Sequence, residues 1–116
     1  MANGINEAIA HISDHLTEPF SETDLAAISR LSPSGFSRSF KRHTGMALSQ
    51  YVNRLRINLA SQLLMSEGTM SITEVCFASG FTNLSNFNRQ FLRQKGVPPS
   101  RFKALLAENA PLAEAA

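Results

Sequence analysis

At 116 residues the chain has the size of one domain, with room for a modest core but not for a core plus a separate catalytic domain. Hydrophobic residues at 43% and charged residues at 17%, without low-complexity stretches, exclude a disordered chain, and the apolar runs are too short to span a bilayer. The start Met1-Ala-Asn-Gly is not a basic, then apolar, leader, and the single cysteine, Cys76, excludes an internal disulfide, so no membrane is expected as partner and a cytoplasmic location is.

In chain order, Ile5, Ala8, Ile9, Ile12 and Leu16 fall at helical spacing and predict an opening amphipathic helix. Ser21 with Asp24 resembles a capping box, followed by Leu25, Ala26, Ile28 and Leu31 on a short helix. Ser32 is a good N-cap for the next helix, with Pro33 at the first helical position, where its missing N–H costs nothing. Gly45 should end that helix in the left-handed conformation. From Ala47 to Met65 there is neither Gly nor Pro, and Leu48, Tyr51, Val52, Leu55, Leu59 and Leu63 form an apolar stripe, which predicts a continuous linker helix. At ~1.5 Å per residue it would be roughly 28 Å long, close to the ~34 Å between successive major-groove faces on one side of B-DNA. Arg54 and Arg56 fall on its polar side, where a solvated face is the expected use.

Beyond the linker, Ser71-x-x-Glu74 fits the capping box in full, ahead of Val75, Cys76 and Ala78. Asn83 caps a helix that Gly96 ends, and Pro99 begins a closing helix with Phe102, Leu105 and Leu106. The Ala-rich tail after Glu108 is expected to fray. The expected organisation is a first helix-turn-helix lobe over 1–46, a linker helix over 47–66, a second lobe over 67–108 and a disordered tail over 109–116.

The two lobes are copies of one unit. At an offset of 51, Ser34 falls on Ser85, Phe36 on Phe87, Arg38 on Arg89, Phe40 on Phe91, Arg42 on Arg93 and Gly45 on Gly96. Upstream the offset is 50, with Ser21 on Ser71 and Ser29 on Ser79, so the second copy carries one extra residue between its two helices. Insertions belong in turns, and a period of this length marks a repeated supersecondary unit.

In the second helix of each copy the apolar residues are i, i+4 pairs, Phe36 with Phe40 and Phe87 with Phe91, which must face a core. The opposite face then carries Ser34, Ser37, Arg38, Lys41 and Arg42 in one copy and Ser85, Asn88, Arg89 and Arg93 in the other. Arginine can bond guanine O6 and N7 together, asparagine can pair with adenine, and serine suits base edges or phosphates. One such stripe is also what a solvated helix face looks like. Its recurrence, each time after a capped short helix and a turn, points to duplex DNA.

Charge placement agrees. No acid occurs between Leu25 and Ser66 or between Val75 and Ala107, and all eleven lysines and arginines lie inside those two windows. Carboxylates near a polyanion site would repel phosphates and cancel the gain from counterion release.

Other chemistries find less support. His11 and His15 stand i, i+4, a spacing that could hold zinc, but no third ligand is placed to complete the site, so neither metal nor cofactor is expected. Cys76 sits on an apolar helix face and reads as a buried thiol rather than a nucleophile, which leaves no catalytic constellation and no enzyme. A helical bundle that binds proteins would explain the amphipathic helices but not the mirrored arginine stripes. RNA is disfavoured because the phenylalanines are committed to helix cores, leaving no stacking platform.

The stretch Ser71 to Phe102, with Gly80-Phe81-Thr82-Asn83-Leu84-Ser85-Asn86-Phe87-Asn88-Arg89-Gln90-Phe91 at its centre, resembles the second helix-turn-helix signature of the AraC/XylS regulators. Asp24-Leu25-Ala26 and Phe40-Lys41-Arg42-His43-Thr44-Gly45 are similar to the first. The resemblance implies an all-α fold of about seven helices in two lobes, the second helix of each lobe lying in the major groove, and a function in transcription regulation, usually activation in bacteria. Carried over by position, it implies base reading by Ser34, Ser37 and Arg38, with Lys41 and Arg42 near phosphates. In the second lobe it implies base reading by Leu84, Ser85, Asn88 and Arg89, with Arg93 near phosphates. Some members carry a large aromatic and a glutamine where this chain has Ser34 and Ser37, so its target sequence should differ. The implied partners are double-stranded DNA and, for an activator, RNA polymerase. The isolated chain is expected to be a monomer, and a longer protein could dimerise through a further domain of the kind many members carry.

Overall fold

In a computed structural model, the backbone is described for residues 3–66 and 70–115 and side chains for 4–66 and 70–108. Among these residues there are seven helices and no strand: α1 (Asn3–Asp14), α2 (Glu22–Ile28), α3 (Pro33–Thr44), α4 (Leu48–Met65), α5 (Ile72–Ala78), α6 (Leu84–Lys95) and α7 (Pro99–Ala115). The chain divides within α4 into two compact units, one ending at Leu55 and the other beginning at Arg56.

The first unit closes around Ile5, Ala8 and Ile12 of α1, Leu25 and Ala26 of α2, Phe36 and Phe40 of α3, and Val52 of α4. Leu48, Tyr51 and Leu55 pack against it. The second unit closes around Ile57, Ala60 and Leu64 of α4, Val75 and Cys76 of α5, Phe81, and Phe87 and Phe91 of α6, with Phe102 and Leu106 of α7 packed on it. The helix read from sequence as a linker is therefore a working part of both cores. Its second half does for one unit what α1 does for the other: Ile57, Ala60 and Leu64 repeat the spacing of Ile5, Ala8 and Ile12.

Local chemistry sets the helix ends. Ser21 Oγ accepts from Asp24 N–H at 3.2 Å, and Ser32 Oγ accepts from Gly35 N–H at 3.1 Å behind Pro33 at the helix start. Ser71 and Glu74 form the reciprocal box, with Ser71 N–H donating to Glu74 Oε1 at 2.7 Å and Glu74 N–H to Ser71 Oγ at 3.0 Å. Asn83 Oδ1 accepts from Asn86 N–H at 2.8 Å. Gly45 and Gly96 end α3 and α6 at φ +79° and +81°. A Cβ at either would meet nothing within 4 Å, so glycine is there for the backbone angle and not for space.

The turns between paired helices match except for one residue. Arg30 N–H bonds Ala27 C=O and Leu31 N–H bonds Ala26 C=O; in the second unit Gly80 N–H bonds Phe77 C=O and Phe81 N–H bonds Cys76 C=O. This is a Schellman ending in both, with a left-handed residue at its centre. That residue is Gly80 at φ +101° in one turn and Arg30 at φ +61° in the other. Thr82 is the added residue, placed just after the motif and before the Asn83 cap, where it disturbs neither.

Two expectations change. Arg56 is half-buried, and desolvation by burial lowers the pKa of its guanidinium, so it is not part of a solvated face, whereas Arg54 is exposed. α7 continues to Ala115, across the segment read as a tail; the side chains of 109–116 lie outside the described residues.

Candidate nucleic-acid interface

The outer faces of α3 and α6 follow from the burial of their inner ones. Phe36, Phe40, Phe87 and Phe91 are fully buried at 0% exposure. Each pair is four residues apart and so lies on one side of its helix, and at about 100° per residue positions such as 34, 38, 41 and 42, or 85, 89 and 93, fall roughly on the other side. Ser34, Ser37, Arg38, Lys41 and Arg42 are all exposed on α3, as are Leu84, Ser85, Asn88, Arg89 and Arg93 on α6. All ten side chains singled out by sequence are thus solvent-accessible, five on each helix. Within each unit they share one helix, and the aromatic core beneath holds that helix in place.

The rings are packed by more than burial. Phe36 and Phe40 lie 5.5 Å apart between centroids and Phe87 and Phe91 5.8 Å, both tilted. Phe81, next to the left-handed turn residue, meets Phe87 edge to face at 5.3 Å. Offset and edge-on contacts of this kind add to area burial and resist sliding of the helix on its core.

Electrostatics differ along each helix. The last turn of α3 carries Lys41 and Arg42, and that of α6 carries Arg93 and Lys95, where cations complement the helix dipole. Arg42 and His43, with Ser39, form one wall of a cleft of about 550 Å³ whose other side is Gly4, Ile5, Ser29 and Leu31. Lys95 is tied within its unit, its Nζ donating to Asn58 Oδ1 at 3.1 Å, and Lys103 Nζ donates to Met70 C=O at 2.9 Å. These two lysines are therefore less available to a ligand than their place in the basic window suggests.

Sequence reading missed Asn86. Its Oδ1 accepts from Arg89 Nη2–H at 2.9 Å and more weakly from Gln90 Nε2–H at 3.5 Å. The i, i+3 spacing of Asn86 and Arg89 was the available signal.

The cysteine and histidines stand apart from these faces. Cys76 is buried, and desolvation pushes its thiol pKa up, away from nucleophilic chemistry. The His11 and His15 rings are 4.3 Å apart, and His15 Nδ1 lies 3.1 Å from Glu18 Oε2.

A family model described as a helix-turn-helix domain matches residues 25–105, most of the chain and both paired-helix units. A solved transcriptional regulator from Chromobacterium violaceum, described as containing an AraC-type DNA-binding domain, superposes with a TM-score of 0.79 at 28% identity, over 90% of this chain and 93% of that one. The chain belongs to the AraC family of helix-turn-helix regulators. Among its AraC-type relatives is the arabinose operon regulatory protein of Escherichia coli, 36% identical over 107 residues, 90% of this chain and 36% of that protein. An uncharacterized regulator of Bacillus subtilis, YobQ, is 37% identical over 99 residues, 85% of this chain and 41% of that protein. The DNA-binding domain of the transcriptional factor AdpA, solved in complex with a target DNA, superposes with a TM-score of 0.83 at 30% identity, over 93% of this chain and 96% of that one. The AraC-type chain spans less than half the length of the curated relatives it matches. No helix among the described residues is long and apolar enough to cross a membrane.

Proposed function

We propose that this chain is the DNA-binding part of a bacterial, cytoplasmic transcription regulator, an activator, that inserts α3 and α6 into two successive major-groove segments of one duplex. Ser34, Ser37 and Arg38 of α3 and Leu84, Ser85, Asn88 and Arg89 of α6 read base edges. Lys41, Arg42 and Arg93 neutralise phosphates. The observation that carries this reading is the twofold occurrence of one design: an exposed Ser/Arg face on a helix whose other face is a buried phenylalanine pair. Either unit alone would offer a single short base-reading surface; two in one polypeptide give a site long enough for specificity without a second chain. The crystallised complex of AdpA's domain with a target DNA supports duplex DNA as the ligand. Activation draws support from relatives such as RhrA, named a transcriptional activator. It brings RNA polymerase in as a further partner.

Selection of bound duplexes from a random library, followed by sedimentation of the complex at two salt concentrations, tests the reading. One chain per minimal site, with affinity falling steeply as salt rises, is the expected result. Two chains per minimal site, or affinity insensitive to salt, contradicts it.

A further inference from the structure

The two reading faces are not equivalent, and the difference lies beneath their arginines. On α6, Arg89 Nη2–H donates to Asn86 Oδ1 at 2.9 Å. Asn86 is itself fixed at the first turn, its N–H held by the Asn83 cap at 2.8 Å. At the offset of 51 the residue of α3 matching Asn86 is Gly35, which has no side chain to offer Arg38. Gly35 N–H donates in the same way to its own cap, Ser32 Oγ, at 3.1 Å, so the two helix starts are tied alike in backbone although their side chains differ at the cap, at Pro33 against Leu84 and at Gly35 against Asn86.

We infer that Asn86 is a positioning residue that pre-sets the Arg89 guanidinium for base reading and so makes the second unit the sharper reader of the two, an inference that rests on the DNA reading proposed above. A long arginine on an exposed helix face loses rotamer freedom when it docks on a base, and that loss subtracts from affinity. An existing hydrogen bond to the helix's own first turn removes part of the loss in advance. The bond occupies one N–H of the five on a guanidinium, leaving enough for a two-point contact with guanine. Because Arg89 is already confined, a wrong base meets a donor pair that cannot swing aside. Arg38 can.

The test measures affinity of the whole chain for its selected duplex and every single-base variant of it, for the wild type, Asn86→Ala, Arg89→Ala, the double variant and Asn86→Asp, with melting temperature as a fold control. Asn86→Ala should weaken cognate binding roughly 2- to 10-fold. It should also flatten preference at the base position that Arg89→Ala flattens, and have little further effect once Arg89 is absent. Asn86→Asp keeps the acceptor, so it should keep the preference at that position while its charge lowers affinity evenly for all sequences. If Asn86→Ala leaves the preference intact while Arg89→Ala removes it, the positioning role is overturned and the DNA reading stands. If Asn86→Ala is as harmful in the Arg89→Ala background as alone, Asn86 acts through something other than Arg89 and the inference also fails. If Arg89→Ala itself changes neither affinity nor preference, the base-reading assignment of the second unit falls, and this inference with it. A gain-of-function arm stands apart from these losses: Ser32→Asn with Gly35→Asn gives α3 the cap of α6 and a counterpart of Asn86, with Pro33 kept, and should sharpen preference at the base read by Arg38. Unchanged preference in a variant with unchanged melting temperature counts against the inference.

Discussion

Phe40 and Tyr51 meet edge to face, with ring centroids 5.2 Å apart and planes at 90°. Phe91 and Phe102 repeat the contact at 5.3 Å and 75°. In each unit the end of the helix that carries the exposed Ser/Arg face is thus braced by an aromatic residue near the start of the following helix, α4 in one case and α7 in the other. The edge of one ring, slightly positive, lies against the negative face of the other, an arrangement favoured over stacking face to face. Truncation should remove both the burial and the brace. Phe40→Ala and Phe91→Ala should each cost about 3–5 kcal/mol, measured by chemical denaturation. A cost below ~1 kcal/mol for either would mean that its ring is not a core element.

The turn at Arg30 is strained where its counterpart is not. A left-handed backbone costs an ordinary L-residue roughly 1–2 kcal/mol, whereas glycine adopts it freely at some cost in unfolded-state entropy. Arg30→Gly should therefore stabilise the first unit by about 0.5–1 kcal/mol, and Gly80→Ala should destabilise the second by about 1–2 kcal/mol. Denaturation midpoints of the two variants, moving in opposite directions, check this. Arg30→Gly lowering stability would show that the arginine side chain makes a contact that outweighs its backbone strain.

The capping box on α5 should respond to acid. Glu74 accepts from the Ser71 backbone N–H and bonds the Ser71 side chain, and these contacts lower its pKa from the ordinary 4.5. A carboxyl whose folded pKa is depressed adds stability that is present above its unfolded pKa and disappears as pH falls through the folded one. The box should therefore hold at neutral pH and weaken only below about 4.5. Glu74→Gln, which keeps an acceptor but cannot titrate, should flatten that part of the stability-versus-pH curve. An unchanged curve would remove Glu74 from the acid response.

Cys76 should behave as an inert core atom. Its thiol is buried and its pKa raised, so labelling by a thiol reagent should proceed only through unfolding of the second unit. Raising denaturant to the unfolding midpoint should accelerate labelling steeply. Rapid labelling in buffer alone would contradict the burial.

Much of this architecture is legible in the sequence because it depends on local rules. Caps, terminal glycines and phenylalanine pairs each act within four residues, so Ser32, Asn83, Gly45 and Gly96 fall where composition and spacing put them. The extra turn residue was visible as a shift in repeat offset and is Thr82. What was hidden depends on contacts far along the chain. The stripe read along α4 runs through Val52, Leu59 and Leu63, yet the α4 residues buried in the second core are Ile57, Ala60 and Leu64, which that stripe left out, because the second half of the helix meets different partners from the first. The half-burial of Arg56 follows from that division, and the left-handed backbone at Arg30 follows from a turn that the second copy builds with glycine. Nine of the ten exposed candidates of α3 and α6 were readable from the phenylalanine period; Leu84, three residues before Phe87, came only from the family resemblance, and the tie from Asn86 to Arg89 depends on side-chain geometry that no spacing rule fixes.

The central claim is that both reading helices specify bases on one duplex, Arg38 through one unit and Arg89 through the other. The measurement that tests it most directly is binding of the wild type, Arg38→Ala, Arg89→Ala, Arg42→Ala and Arg93→Ala to every single-base variant of the selected site, at two salt concentrations. Arg38→Ala and Arg89→Ala should each cost about 1–3 kcal/mol on the cognate duplex and relax preference at different positions, roughly one helical turn, ~10 base pairs, apart. Arg42→Ala and Arg93→Ala should weaken binding evenly across sequences and reduce the salt slope by about one. If Arg38→Ala and Arg89→Ala weakened all sequences equally, or if only one of them altered any base preference, the chain would not be reading DNA with two helices.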